Sequence, residues 1–213
     1  MRRSRIRRII SITAIFVVSL LILYGIMRGG FGLYQRLSEP QEVSQLRELA
    51  IPAWVDIDLI RVDGAARRGT SLESIGGIVI HYIGNPGTTA AQNRNYFNSP
   101  GTAVSAHFIV GLEGEIIQCV PLNEKSSASN HRNADTISLE VCHPDESGVF
   151  TEKTYQSLVR LTAWLCREIG FSEEQIIRHH DVTGKNCPRW FVEDPEAWET
   201  FKQDVSAAAN EKE

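Results

Sequence analysis

His81, His179 and Cys187 are the residues of this 213-residue chain whose types and spacing invite chemistry. His81 ends an apolar run. His179 comes far later, and Cys187 follows it by eight positions in the loop Asp181–Arg189. Two imidazoles and one thiolate suit Zn²⁺, and three protein ligands leave a fourth position open for water, the mark of a catalytic rather than a structural site. Zinc lowers the pKa of bound water to about 7, which makes hydroxide available at neutral pH. Taken singly, each residue is weaker: a histidine at a strand end is commonly structural, and an isolated cysteine is commonly core filler. A cysteine nucleophile at Cys187 with a histidine base would use the same residues differently. Residue types alone reach as far as a zinc hydrolase acting on an amide or ester.

These residues must be carried by secondary structure. Ile75–Tyr82 is a β-branched apolar run bounded by Gly84 and Gly87, which predicts a buried strand ending near His81. Thr89–Phe97 reads as a short helix. Ala103–Val110 and Glu115–Val120 read as strands joined through Gly111–Gly114. Thr136–Cys142 is a further strand. Thr151–Ile169 is the clearest helix, with Tyr155, Leu158, Leu161 or Thr162, Leu165 and Ile169 on one face and Gly170 at its stop. Ser172–Gln175 has capping-box form, Ile176–Arg178 is a last short strand, and Glu196–Val205 a last helix. Strands and helices in this order predict an α/β domain, a central mixed β-sheet flanked by helices, over residues 52–208 with a short tail at 209–213.

Four stretches resemble the zinc-dependent N-acetylmuramoyl-L-alanine amidases, the group that includes the phage lysozyme-like amidases and the peptidoglycan recognition proteins. They are Ile78–Pro86, Ser105–Val110 followed by Gly114, Thr136–Cys142 and Arg178–Pro188, in the family's order, and the likeness covers roughly residues 52–192. The last is the most specific, because histidine, lysine and cysteine keep the family's spacing. That spacing selects His179 rather than His180. The resemblance implies that His81, His179 and Cys187 hold Zn²⁺ and that the substrate is peptidoglycan or a muropeptide, cut at the lactyl amide between muramic acid and L-alanine. It also implies a catalytic Glu140 and a catalytic Lys185. Strand alternation places Glu140 on the face opposite Leu139 and Val141, where a carboxylate can move a proton. A lysine two residues from Cys187 can stabilise an oxyanion. His107 matches a family position and reads as a support to the site or as packing. His131 and Asn85 are candidate substrate contacts, though Asn85 equally suits a turn. The alternative within this fold is a non-catalytic wall-binding module.

The N-terminus carries a different signal. Ile9–Met27 is apolar and uncharged, and 19 residues of helix span roughly 28 Å, close to a bilayer core. Five arginines precede it, so the positive-inside rule predicts a basic cytoplasmic tail over 1–8, a single transmembrane helix over 9–27, a tether over 28–51 and a catalytic domain outside the cell membrane. A cleaved signal peptide is the alternative, opposed by the length of the run and by the lack of an A-x-A-like site. A short helix opening near Ser38–Pro40 and running to Leu49 is expected in the tether. Six of the 22 basic residues and none of the 26 acidic ones lie in residues 1–28, which leaves the remainder at a formal −10. That acidity argues against nucleic acid as a partner. A monomer is expected. Cys119, Cys142 and Cys166 cannot all pair with one another, and an external location permits disulfides without choosing between them.

Overall fold

The computed structural model describes residues 19–20, 23–26, 39–62 and 64–211. It falls into two units, residues 1–39 and Pro40–Glu213. The expected transmembrane helix over 9–27 is corrected: among the described residues no helix is long and apolar enough to cross a membrane. Of that stretch only 19–20 and 23–26 are described, both helical. The membrane partnership expected through that helix loses its support. The remaining residues of the run, the basic tail at 1–8 and residues 28–38 of the tether lie outside the described residues.

The second unit is the α/β domain. Helix α1, Gln41–Glu48, buries Val43 and Leu46 against the main core, so this part of the expected tether belongs to the domain. The strands are β1 (Asp56–Ile57), β2 (Gly77–Tyr82), β3 (Phe108–Val110), β4 (Ile116–Gln118), β5 (Thr136–Val141) and β6 (Ile176–Arg178). They form one mixed sheet in the order β1-β4-β3-β5-β2-β6. Only β3–β4 is antiparallel, the hairpin expected from Gly111–Gly114; the other pairings are parallel. Two pairings decide the site. In β2–β5 His81 lies opposite Glu140, and in β2–β6 Ile80 lies opposite Arg178, the residue before His179.

Alternation along the strands divides the interior. Ile78, Ile80, Phe108, Ile137 and Leu139 face a core covered by α3 (Glu152–Ile169) and α6 (Pro195–Asn210). Ile109, Ile117, Cys119 and Cys142 face a smaller core closed by Ala90 and Phe97 of α2 (Ala90–Phe97). All four cysteines are free and buried. In α3 the Thr154 backbone N–H donates to Thr151 Oγ1 at 3.1 Å, and Gly170 ends the helix at φ 79°. Leu158, Leu161 and Leu165 are buried on the expected face. Helix α6 runs beyond its expected limits, because Asp194 caps the Ala197 N–H at 3.0 Å and Ala207–Ala209 favour helix. The expected strand from Ala103 shortens to Phe108–Val110, since Ser105 makes only an isolated bridge to Ser127.

Leu158 is fully buried between α3 and the sheet. Truncation to alanine removes apolar burial and leaves a cavity, so Leu158→Ala is expected to cost about 2–5 kcal/mol in a urea titration of the domain.

Candidate metal centre

The site lies at the carboxyl ends of β2, β5 and β6. Because β2 and β5 are in register, His81 and Glu140 project side by side, and His81 Nδ1 stands 4.0 Å from Glu140 Oε1. His179 follows β6 and opens α4, His179–Thr183, a helix where sequence predicts a loop. Asp181 makes that turn possible: its carboxylate accepts the Arg178 backbone N–H at 2.8 Å and pairs with the Arg178 guanidinium at 2.8 Å. Gly184, at φ 76°, ends it.

The chain then returns Cys187 to His179. The His180 N–H donates to Cys187 O, and the Cys187 N–H donates to Lys185 O, each at 2.8 Å. Just beyond lies α5, Arg189–Glu193, whose Phe191 sits 5.0–5.4 Å, centroid to centroid, from Phe150, Trp190, Trp198 and Phe201. Arg178 Nη1 donates to Phe191 O at 2.9 Å and so ties the start of the ligand-bearing segment to its end.

His81, His179 and Cys187 converge: their ligand atoms all lie within 4.8 Å of one another, and Cys187 Sγ is 4.0 Å from His81 Nδ1. The three residues are 2%, 7% and 2% exposed. Burial, then the charges of His179 and Lys185, hold His81 well below the ordinary histidine value; burial and Lys185 lower His179. Both rings are thus kept neutral, as metal binding requires. Burial pushes the Cys187 thiol up to about 12, with Glu140 adding to the shift, while the Tyr82 backbone and Lys185 oppose it. A thiolate there needs a further positive charge beside it.

Glu140 keeps 18% of its side chain exposed, yet its Oε2 is buried with no hydrogen-bond partner. Burial raises the carboxyl to about 8 against the pull of Lys185. Lys185 is itself exposed, but its charge reaches both histidines, Glu140 and Cys187. A cleft of about 560 Å³ opens beside Glu140, lined also by Asn85, Thr88, Gln92, Tyr96 and Val104.

The remaining sequence candidates separate. His107 is fully buried and spends both ring nitrogens elsewhere: Nδ1 accepts the Ser138 N–H at 3.0 Å, and Nε2 donates to Glu124 O at 2.8 Å. Burial lowers it to about 4. It packs the sheet and does not touch the ligand group. His131 is exposed on the 3₁₀ turn Asn130–Ala134, and His180 Nδ1 faces Lys185 O at 3.0 Å. Sequence reasoning missed Ser129 and Asn130, which bond His81 Nε2 and His179 Nε2, each at 2.9 Å. A Ser-Asn pair in a polar stretch carries only a turn signal. It also missed His143, which stacks on Tyr82 and faces the carbonyl oxygens of Asp145 at 2.7 Å and Ile83 at 2.6 Å, holding together the loops that follow β5 and β2.

A profile of the Amidase_2 family, described as N-acetylmuramoyl-L-alanine amidase, matches residues 71–190. The chain belongs to that family. The match contains all three converging residues, Glu140 and Lys185. Among curated relatives, the N-acetylmuramoyl-L-alanine amidase CwlL of Bacillus licheniformis is 31% identical over 172 residues, covering 73% of this chain and 47% of CwlL. BlyA of Bacillus subtilis strain 168, of the same name, is 30% identical over 72% of this chain and 47% of its own. The chain thus spans about half the length of these Amidase_2 relatives. The catalytic domain of XlyA superposes with a TM-score of 0.63 at 27% identity, covering 71% of this chain and 98% of that domain. PlyL, at 22% identity and a TM-score of 0.64, covers 72% of this chain and 98% of its own and shares the fold.

Proposed function

We propose that this chain is an N-acetylmuramoyl-L-alanine amidase that hydrolyses the lactyl amide between muramic acid and L-alanine, with Zn²⁺ held by His81, His179 and Cys187. The observation that carries this reading is the convergence of three buried ligand atoms within 4.8 Å beside the unpartnered Glu140 Oε2. The donor set fits zinc. Ligands at about 2.0–2.3 Å from one ion stand about 3.3–3.8 Å apart when tetrahedral, so contraction by about an ångström suffices. Two neutral imidazoles and a thiol held protonated by burial lack a cation's charge and little else. When bound, Zn²⁺ supplies a Lewis acid that acidifies water and polarises a carbonyl.

The chain's own residues do the rest. Glu140 accepts a proton from the water whose oxygen attacks the lactyl carbonyl carbon. The same carboxyl gives that proton to the alanine nitrogen as the C–N bond breaks. A carboxyl raised towards neutrality suits both directions of transfer. Lys185 stabilises the negative charge that gathers on the carbonyl oxygen. The cleft beside Glu140 receives the flanking sugar or peptide, with Asn85 at its rim. His131, exposed on the turn Asn130–Ala134, is free to contact the flanking sugar or peptide. Such a domain acts where the wall lies, outside the cytoplasm.

Incubation of the protein with purified peptidoglycan, with and without a chelator, tests the reading. New N-terminal L-alanine in the mass spectrum, lost on chelation and restored by Zn²⁺, is the expected result. New reducing sugar ends, or digestion indifferent to chelation, would reject it. Lys185→Met is expected to lower kcat/KM by about 10²–10³-fold with zinc content unchanged, measured on a defined muropeptide.

A further inference from the structure

We propose that Ser129 and Asn130 are positioning residues that fix both metal-facing imidazoles from one two-residue segment. The inference rests on the ligand assignment above and adds residues from a part of the chain that the assignment does not use. Ser129 is fully buried, and its Oγ lies 2.9 Å from His81 Nε2. Asn130 Oδ1 lies 2.9 Å from His179 Nε2. An amide oxygen only accepts, so His179 Nε2 carries the hydrogen and Nδ1 keeps its lone pair. A hydroxyl serves as donor or acceptor, so Ser129 tolerates the same tautomer in His81, whose Nδ1 faces Cys187 and Glu140. A partner on the far nitrogen of a ligand histidine sets ring orientation and tautomer, and its loss typically costs 10–100-fold in metal affinity.

The backbone gives an independent reason. Among the described residues Asn130 is the one non-glycine residue at positive φ, 56°. That left-handed conformation is uncommon outside glycine, and asparagine is among the few residues that enter it readily. Strain of this kind persists where the surroundings enforce it. Here Asn133 Oδ1 accepts the backbone N–H groups of Ala128 at 3.0 Å and Ser129 at 2.6 Å, which locks the segment from below. The turn then carries adjacent side chains to two different rings, whose centroids are only 4.5 Å apart.

Competition against a zinc-binding indicator measures the affinity of the full chain and its variants. Ser129→Ala and Asn130→Gly are each expected to weaken zinc binding about 10–100-fold. Asn130→Gly keeps the left-handed turn and removes only the acceptor. Asn130→Asp restores an acceptor on a residue that tolerates the same backbone, and is expected to bind zinc within a few-fold of wild type. Melting of the metal-free forms supplies the control, because a merely structural role would lower the melting temperature and leave affinity alone. Wild-type affinity in Ser129→Ala and Asn130→Gly, with wild type itself binding tightly, would overturn the positioning role and leave the ligand assignment standing. Failure of wild type to bind zinc would overturn the ligand assignment and this inference together.

Discussion

Glu140→Gln is expected to slow release of L-alanine ends from peptidoglycan by about 10²–10⁴-fold while zinc binding stays near wild type. The substitution is nearly isosteric, and its site is defined by strand register: Glu140 stands opposite His81 across β2–β5, with Oε1 4.0 Å from Nδ1. Glutamine fills the same space and cannot carry a proton from water to nitrogen. A wall-binding module without catalysis would show no change, so the variant also separates that alternative. Folding provides a second readout with a defined sign. Burial holds the Glu140 carboxyl near 8, above its ordinary value of 4.5. Between those values the unfolded chain releases a proton that the folded, metal-free domain retains. The contribution of Glu140 to stability is therefore present below about 4.5 and falls as pH rises towards 8. Glutamine does not titrate, so the metal-free variant is expected to match wild type near pH 5 and to melt above it near pH 8. Loss of catalysis together with unchanged or increased stability would place the defect in proton transfer. A variant that melts lower at both pH values, or retains activity, would refute the assignment.

Much of the site can be read from sequence, for a physical reason that differs from residue to residue. His81 and Glu140 sit on strands whose alternation is written in β-branched residues, so their shared face follows once the two strands are neighbours. His179 and Cys187 lie in a segment with strongly specific spacing. What the sequence does not carry is which strands pair, and hence that residues from β2, β5 and the end of β6 meet. Ser129 and Asn130 stayed hidden for a related reason: their partners are distant in the chain, and a serine or asparagine in a polar stretch fits any turn. Of the two readings of His107, support to the site or packing, the geometry favours packing. The residue stands beside a strand at a family position, but Ser138 and Glu124 absorb both its nitrogens. The helix α4 escaped notice because its N-terminus is held by Asp181 acting back on Arg178, with no serine or threonine at the start to mark it. At the N-terminus, an uncharged apolar run predicted a span, whereas among the described residues no helix is long and apolar enough to cross a membrane.

Cys187→Ser is expected to abolish tight zinc binding and to lower activity by about 10³-fold or more, since the variant forfeits the several kcal/mol of charge stabilisation that metal catalysis supplies. A serine hydroxyl replaces a sulfur that must ionise to bind zinc, and a hydroxyl at that depth stays neutral. Loss of activity alone does not separate a zinc ligand from a cysteine nucleophile; metal content and chemical modification do. The metal-free thiol is 2% exposed and held near 12, with Glu140 among the groups that raise it. Those surroundings are the reverse of the electropositive, partly open setting that activates a nucleophilic cysteine. They are consistent with a sulfur whose ionisation waits for a cation. Wild type is therefore expected to resist alkylation when loaded with zinc, to lose activity to a chelator and to regain it on adding Zn²⁺. Rapid inactivation by a thiol reagent in the presence of zinc, with indifference to the chelator, would make Cys187 the nucleophile and remove the metal from the reaction.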